Sequence, residues 1–129
     1  MTHQTLYDDA APGTATVLHV STCDACGRSE FPRRRDCPAC GSAVRDDRLS
    51  GPGRLRASTA VLAQPPGSRV EAPYLAGVAE FPGGLCVIGL LAHELPVGAR
   101  VEVVVHEPYP GGRTFAFRET DLLGPPATC

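Results

Sequence analysis

The sequence predicts a mostly β protein in two parts, a small cysteine-rich ribbon followed by a barrel of five strands. Two observations lead to this prediction. Four cysteines stand in two closely spaced pairs before residue 41, and after residue 50 short apolar runs alternate with glycine and proline. A chain of 129 residues suffices for a small stapled module and a second core. We expect a docking segment at 1–20, the ribbon at 21–49, the barrel at 50–119 and a tail at 120–129.

The cysteine pairs predict a metal site, because each has the same short spacing and is followed by a glycine. They read Cys23-Asp-Ala-Cys26-Gly and Cys37-Pro-Ala-Cys40-Gly. Two such pairs can place four thiolates at tetrahedral corners around one Zn²⁺, and the glycine allows the tight turn with positive φ. Four cysteines also close the coordination shell, whereas a catalytic zinc keeps a position open. The spacing therefore predicts a rubredoxin-like zinc ribbon with one structural ion.

Disulfide bonds are the alternative use of these cysteines, and the compartment argues against them. Residues 1–15 lack the basic and apolar pattern of a signal peptide, and no apolar run approaches the length of a membrane span. We therefore expect a cytoplasmic protein with reduced thiols. Redox motifs occur singly at a helix start, unlike this doubled pair. Of the remaining cysteines, Cys86 is expected in the core and Cys129 as a free terminal thiol.

Five short runs after residue 50 are predicted strands, each bounded by glycine, proline or charged residues. No segment in this part shows a helical period. Five strands in so short a stretch suit a small barrel, and the OB-fold is the commonest such design. The predicted strands cover residues 53–62, 74–81, 85–92, 100–105 and 114–118.

The charge pattern leaves one competing function open, the binding of single-stranded nucleic acid. Zinc ribbons and OB-folds both occur in such binders, and Arg33-Arg34-Arg35 forms a small basic patch beside a cysteine pair. The overall net charge is −2, however, and residues 53–119 carry six arginines and six glutamates, so the barrel is neutral. Lysine is absent from the chain, which excludes Schiff-base chemistry.

Beyond the cysteine pairs, the chain resembles the DUF35 family of zinc-ribbon/OB-fold proteins. The resemblance covers about residues 20–118 and rests on the order of several motifs. Two features depart from the family pattern. No aromatic residue follows the second pair, where the chain reads Val-Arg-Asp-Asp-Arg at 44–48, and the N-terminal helices of longer members are reduced. Besides the cysteine pairs, the motifs are Phe31-Pro32-Arg33, Ser50-Gly51-Pro52-Gly53, Ala72-Pro73-Tyr74 and Leu95-Pro96-Val97-Gly98.

The resemblance implies an accessory subunit with no catalytic residues of its own. Family members are similar in working beside thiolase-superfamily enzymes or hotdog-fold hydratases that act on CoA thioesters, by thiolysis, retro-aldol cleavage or acyl transfer. The partner then supplies the catalytic groups, and the accessory protein stabilises it and helps to form the acyl-CoA or pantetheine passage. The glutamates after residue 70 are spaced as solvent-facing charges rather than as a catalytic pair.

The implied CoA thioester predicts where this chain would touch substrate or partner. The proline- and glycine-rich loops at 64–73 and 107–112 suit contact with a partner or a pantetheine arm. Arginine's planar fork binds phosphate oxygens through two hydrogen bonds. The predicted contact residues for CoA or the partner are Arg54, Arg56, Arg69, Tyr74 and Arg113.

Overall fold

The first part of the fold is a three-stranded antiparallel sheet. The computed structural model describes residues 5–121. Strand β1 (Leu18–Cys23) lies in the middle of this sheet, between β2 (Ser29–Glu30) and β3 (Val44–Leu49). The first cysteine pair begins at the last residue of β1, and the second lies in the connection between β2 and β3. The sheet therefore carries the predicted ribbon.

The second part is a closed five-stranded barrel with the strand order β4-β5-β6-β8-β7. Strands β6 and β8 pair in parallel, and every other neighbouring pair is antiparallel. The five predicted strands and the OB-fold are confirmed, and residues 5–121 contain no helix. The barrel strands are β4 (Gly53–Val61), β5 (Tyr74–Glu80), β6 (Cys86–Leu91), β7 (Arg100–Tyr109) and β8 (Gly112–Glu119).

The barrel core follows from the alternation of side chains along its strands. Val101, Val103 and Val105 share the inner face of β7, and Val104 on the opposite face is also buried, beside Ala15 of the N-terminal segment. Phe115 and Phe117 lie on the inner face of β8, with ring centroids 6.0 Å apart. Gly89 of the neighbouring strand β6 is required here, because a Cβ atom at this position would come within 2.8 Å of the Phe115 ring. The large rings thus fill space that the glycine leaves open.

The ribbon and the barrel share one apolar core. Leu18 and Val20 of β1 are almost completely buried, and they cluster with Leu55 and Phe117 of the barrel. Phe31, which follows β2, meets the ring of Phe115 edge to face at 5.6 Å. The orientation of the ribbon is therefore fixed by burial of apolar surface rather than by a flexible linker.

The N-terminal segment lies along the edge of β7. The N–H of Thr16 donates to the carbonyl of Val103 at 2.9 Å, and the N–H of Gly13 donates to that of Val105 at 2.8 Å. The guanidinium of Arg118 donates to the carbonyl of Gly13 at 2.8 Å. Residues 13–16 thus act as an added strand on the barrel, while residues 18–20 already belong to β1 of the ribbon.

A buried histidine ties the start of the described chain to the ribbon. His19, only 7% exposed, has Nε2 2.6 Å from a carboxylate oxygen of Asp8 and Nδ1 3.0 Å from the hydroxyl of Thr5. The hydrogen bond with His19 lowers the pKa of Asp8 below its usual value. Both ring nitrogens are therefore used to hold the N-terminal segment against β1. None of the described elements is a helix that could cross a membrane.

Candidate metal centre and ligand cleft

The two cysteine pairs form two turns of the same geometry. The N–H of Gly27 donates to the carbonyl of Cys23 at 2.7 Å, and the N–H of Gly41 donates to that of Cys37 at 2.8 Å. Both glycines have φ of 76°, a conformation that side chains with a Cβ rarely adopt. The repeated glycine therefore has the structural role that the sequence predicts, since it closes each turn beneath the sulfur atoms.

These turns bring all four thiols together. The four Sγ atoms lie within 4.8 Å of one another, with Cys23 3.5 Å from Cys40 and Cys26 3.5 Å from Cys37. Zn–S bonds of about 2.3 Å in a tetrahedron place neighbouring sulfurs about 3.8 Å apart. The donor set and its spacing therefore fit one zinc ion bound by four cysteines. The cluster is a zinc-ribbon site, with two ligands buried and two exposed.

The cysteine thiols of the cluster differ in pKa. The hydroxyl and the backbone N–H of Ser42 lower the pKa of Cys40 to about 6, because both stabilise the thiolate. The N–H of Arg28 lowers the pKa of Cys26, but hydrogen bonds with the sulfurs of Cys37 and Cys23 outweigh it and raise that pKa to about 11. Cys40 therefore favours the thiolate, which is the form that binds a metal.

The three histidines among residues 5–121 stay outside this cluster. His19 is engaged by the N-terminal segment, and the exposed ring of His93 lies 3.1 Å from the carbonyl of Glu94. His106 lines a separate cleft, where burial lowers its pKa and favours the neutral ring. Among residues 5–121, the cysteine cluster is the one group with the spacing of a metal site.

The expectation that Cys86 lies in the core is wrong. Cys86 begins β6 and is exposed, because it lies on the outer side of the strand. The run Leu-Cys-Val-Ile-Gly-Leu-Leu at 85–91 is apolar throughout, so its composition does not show which face is inside. In the structure Val87 and Leu91 point inward, whereas Cys86 and Ile88 face out. Cys129 lies outside the described residues.

A cleft of about 440 Å³ opens between the loop after β4 and the turn that joins β7 to β8. These are the two connections with which OB-folds usually hold ligands. Arg69 and Tyr74 line one side of the cleft, and His106, Glu107 and Tyr109 line the other. The two loops that the sequence indicates for partner or pantetheine contact therefore meet at one place. His106 also lines the cleft, although the sequence did not indicate it as a contact residue. No local pattern distinguishes it from an ordinary histidine in a strand.

The other three arginines predicted for CoA or partner contact do not line this cleft. Arg56 forms an ion pair with Glu80 at 2.7 Å, and Arg113 forms one with Asp9 at 3.2 Å. Arg54 donates to the carbonyl of Gly98 at 3.1 Å. Each of the three therefore already has a partner within the chain, and only Arg69 and Tyr74 come together.

The basic patch beside the second cysteine pair is partly structural. Arg33 donates to the carbonyls of Val20 and Asp47, at 3.0 and 2.9 Å, and so ties the connection after β2 to the ribbon sheet. Arg34 and Arg35 are exposed. One of the three arginines is thus removed from the surface that a nucleic-acid strand would contact.

Comparison with known proteins identifies the family. Residues 18–45 match the rubredoxin-like zinc ribbon domain of ChsH2, and residues 47–106 match the C-terminal OB-fold domain of ChsH2. The chain belongs to the DUF35 family. The resemblance drawn from the motifs is thereby confirmed, together with the order of ribbon and barrel in this DUF35 protein.

A solved structure supports the same assignment. The DUF35 protein is similar to a chain of the structure described as "Ltp2-ChsH2(DUF35) aldolase", with 25% sequence identity and a TM-score of 0.64. The match covers 79% of this chain and 84% of that chain. No curated protein matches the sequence significantly.

We predict that Cys37→Ser lowers the zinc content from one ion per chain to far below one and unfolds the ribbon. The ribbon is too short to be stable on its own apolar contacts, so metal binding supplies much of its folding free energy. Elemental analysis of the purified protein measures the zinc, and far-UV circular dichroism measures the fold. The matched control is Cys86→Ser, which should keep one zinc. A Cys37→Ser protein with full zinc content would contradict the four-cysteine site.

Proposed function

We propose that this DUF35 protein is a non-catalytic accessory subunit of a thiolase-superfamily enzyme that acts on acyl-CoA thioesters. The observation that carries the proposal is the match of both parts of the chain, in order, to ChsH2. A ChsH2(DUF35) chain occurs with Ltp2 in a structure described as an aldolase. We infer the same kind of two-protein assembly here, with a hotdog-fold hydratase as the alternative partner. The cytoplasmic location remains an expectation from the sequence.

The described residues support a role without catalysis. A nucleophile needs an adjacent base and access to substrate. The Thr5 hydroxyl does contact His19, and Asp8 contacts the opposite side of the same ring. That ring, however, is buried and holds the N-terminal segment in place. The zinc-ribbon site, with four cysteine ligands, offers no open coordination position for substrate.

The cleft supports a more specific role in forming the CoA or pantetheine passage. Arg69 is exposed at its edge, with no ion pair to another residue in the 5–121 range, and can meet a phosphate group. Tyr74 and Tyr109 offer apolar ring surface, while three prolines, at 73, 108 and 110, give the wall little conformational freedom. These properties suit a long, flexible ligand that carries phosphate at one end. We therefore assign the passage to Arg69 and Tyr74 rather than to Arg54, Arg56 or Arg113.

We expect tagged protein purified from its native host to bring down a stoichiometric thiolase-superfamily or hydratase-like subunit. Mass spectrometry of the eluate identifies the partner, and the ratio of band intensities gives the stoichiometry. The Cys37→Ser variant is the control, because loss of the ribbon should abolish assembly. Recovery of nucleic acid without such a subunit would instead favour the single-strand binder.

For the cleft, we predict that Arg69→Ala raises the KM of the assembled enzyme for its CoA thioester about tenfold and leaves kcat nearly unchanged. A tenfold change corresponds to about 1.4 kcal/mol, which is a reasonable loss for one charged hydrogen bond. The matched control is Arg35→Ala, which removes an exposed arginine from the ribbon instead. Equal KM values for Arg69→Ala and the unmodified protein would exclude the cleft as the CoA contact.

A further inference from the structure

Strand β4 is longer than the part that closes the barrel. Gly53 and Arg54 pair with Val101 and Arg100 of β7, and the N–H of Leu55 donates to the carbonyl of Ala99 at 2.9 Å. Beyond Leu55, β4 continues to Val61 with β5 as its neighbour on one side only. Strand β7 begins at Arg100, so it offers no pairing partner to the residues of β4 that follow Leu55. The second half of β4 therefore projects as one edge of a two-stranded arm.

The free edge of this arm has unpaired backbone groups. Within residues 5–121, no backbone hydrogen bond reaches the outer edge of β4 after Leu55. Residues 57–60 are all exposed, and Leu62 just beyond the strand is 79% exposed. Edge strands are usually protected by lysine, proline or inward-facing charge. The stretch Ala-Ser-Thr-Ala-Val-Leu at 57–62 has none of these, so it can accept another strand.

An apolar surface borders the same edge. A bulge at Arg56 shifts the register, after which Ala57 pairs with Val78 and Val78 pairs with Ile88. These three residues lie on the outer face of the sheet, because Gly77, which precedes Val78 in β5, faces inward toward Leu55. Ile88 is 75% exposed. The face forms a shallow groove of about 160 Å³, lined by Ala57, Ser58, Thr59, Ala76, Gly77, Val78 and Ile88.

We propose that this edge pairs with the same edge of a second copy of the chain, antiparallel, to form a homodimer with a continuous sheet. The second copy fits because the segment is compatible with itself. Arg56 is the only charged residue from Leu55 to Leu62, and its ion pair with Glu80 is made within its own chain. Self-pairing therefore brings no like charges face to face, and it gives every free backbone group of the edge a partner.

The twofold axis also determines the register. An axis perpendicular to the sheet keeps the outer faces of the two arms on the same side. Two residues that face each other across the axis then have numbers that are both odd or both even. Centring the axis on Thr59 places Thr59 opposite Thr59, a favourable cross-strand pair, and Ala57 opposite Val61. Arg56 then lies opposite Leu62 of the second copy. The apolar faces of the two arms become one surface. This inference concerns the chain with itself and does not rest on the proposed function.

Light scattering coupled to size-exclusion chromatography tests the dimer over a range of protein concentrations. The unmodified protein should approach twice the chain mass of 13.5 kDa at high concentration. Thr59→Lys and Thr59→Glu should each remain at the monomer mass, because like charges would then face each other across the axis. An equimolar mixture of the two variants should recover the dimer mass. Thr14→Lys is the matched control, since Thr14 is also an exposed threonine but lies on the N-terminal segment beside β7, and it should dimerise normally.

Zinc content and circular dichroism show that each variant is folded before its mass is interpreted. Three outcomes would overturn the proposal: a monomer at all concentrations, a dimer that Thr59→Lys leaves intact, or a mixture that stays monomeric. One form of the first outcome is a monomeric chain whose binding to its co-purified enzyme is lost in Thr59→Lys. The edge would then belong to the contact with that enzyme. Failure to find any enzyme partner would contradict the proposed function but leave the dimer result valid.

Discussion

The shared apolar core between the ribbon and the barrel is the interaction on which the rest of the structure depends. Leu18 and Val20 bury their side chains against barrel residues, so the central strand of the ribbon is also part of the barrel core. The first cysteine ligand lies at the end of that strand. Zinc binding and barrel packing are therefore coupled. A metal that closes the two cysteine turns also holds β1 in the position where its apolar residues meet the barrel.

The position of the cleft follows from the closed barrel. Leu90 and Leu91, the last residues of β6, pair in parallel with β8 and also line the cleft beside His106 and Glu107 of β7. The long connection between β4 and β5 reaches the same end, so two loops far apart in sequence form opposite walls. The edge of β4 leads directly into that connection. A dimer formed along the edge and a ligand held in the cleft would consequently use adjacent parts of one arm.

Local chemistry in the sequence predicts the ribbon and the strands, and long-range packing explains what it misses. The Cys-x-x-Cys-Gly repeats determine both turn and ligands, because spacing and positive φ are local properties. The alternation in β7 likewise identifies its buried face. The run around Cys86 is apolar on both faces, so its orientation depends on the sheet register. The contact of His19 with Asp8 and the meeting of Arg69 with His106 join distant segments, and no local pattern encodes them.

The most direct test of the accessory role is a turnover assay of the purified chain, of its co-purified enzyme and of the two together, with the CoA thioester that the complex consumes. We expect the chain alone to be inactive at every concentration. We also expect the enzyme without the chain to be much less active or stable than the complex, and zinc-loaded chain to restore its activity. Turnover by the chain alone at the rate of the complex would show that this DUF35 protein is itself the catalyst.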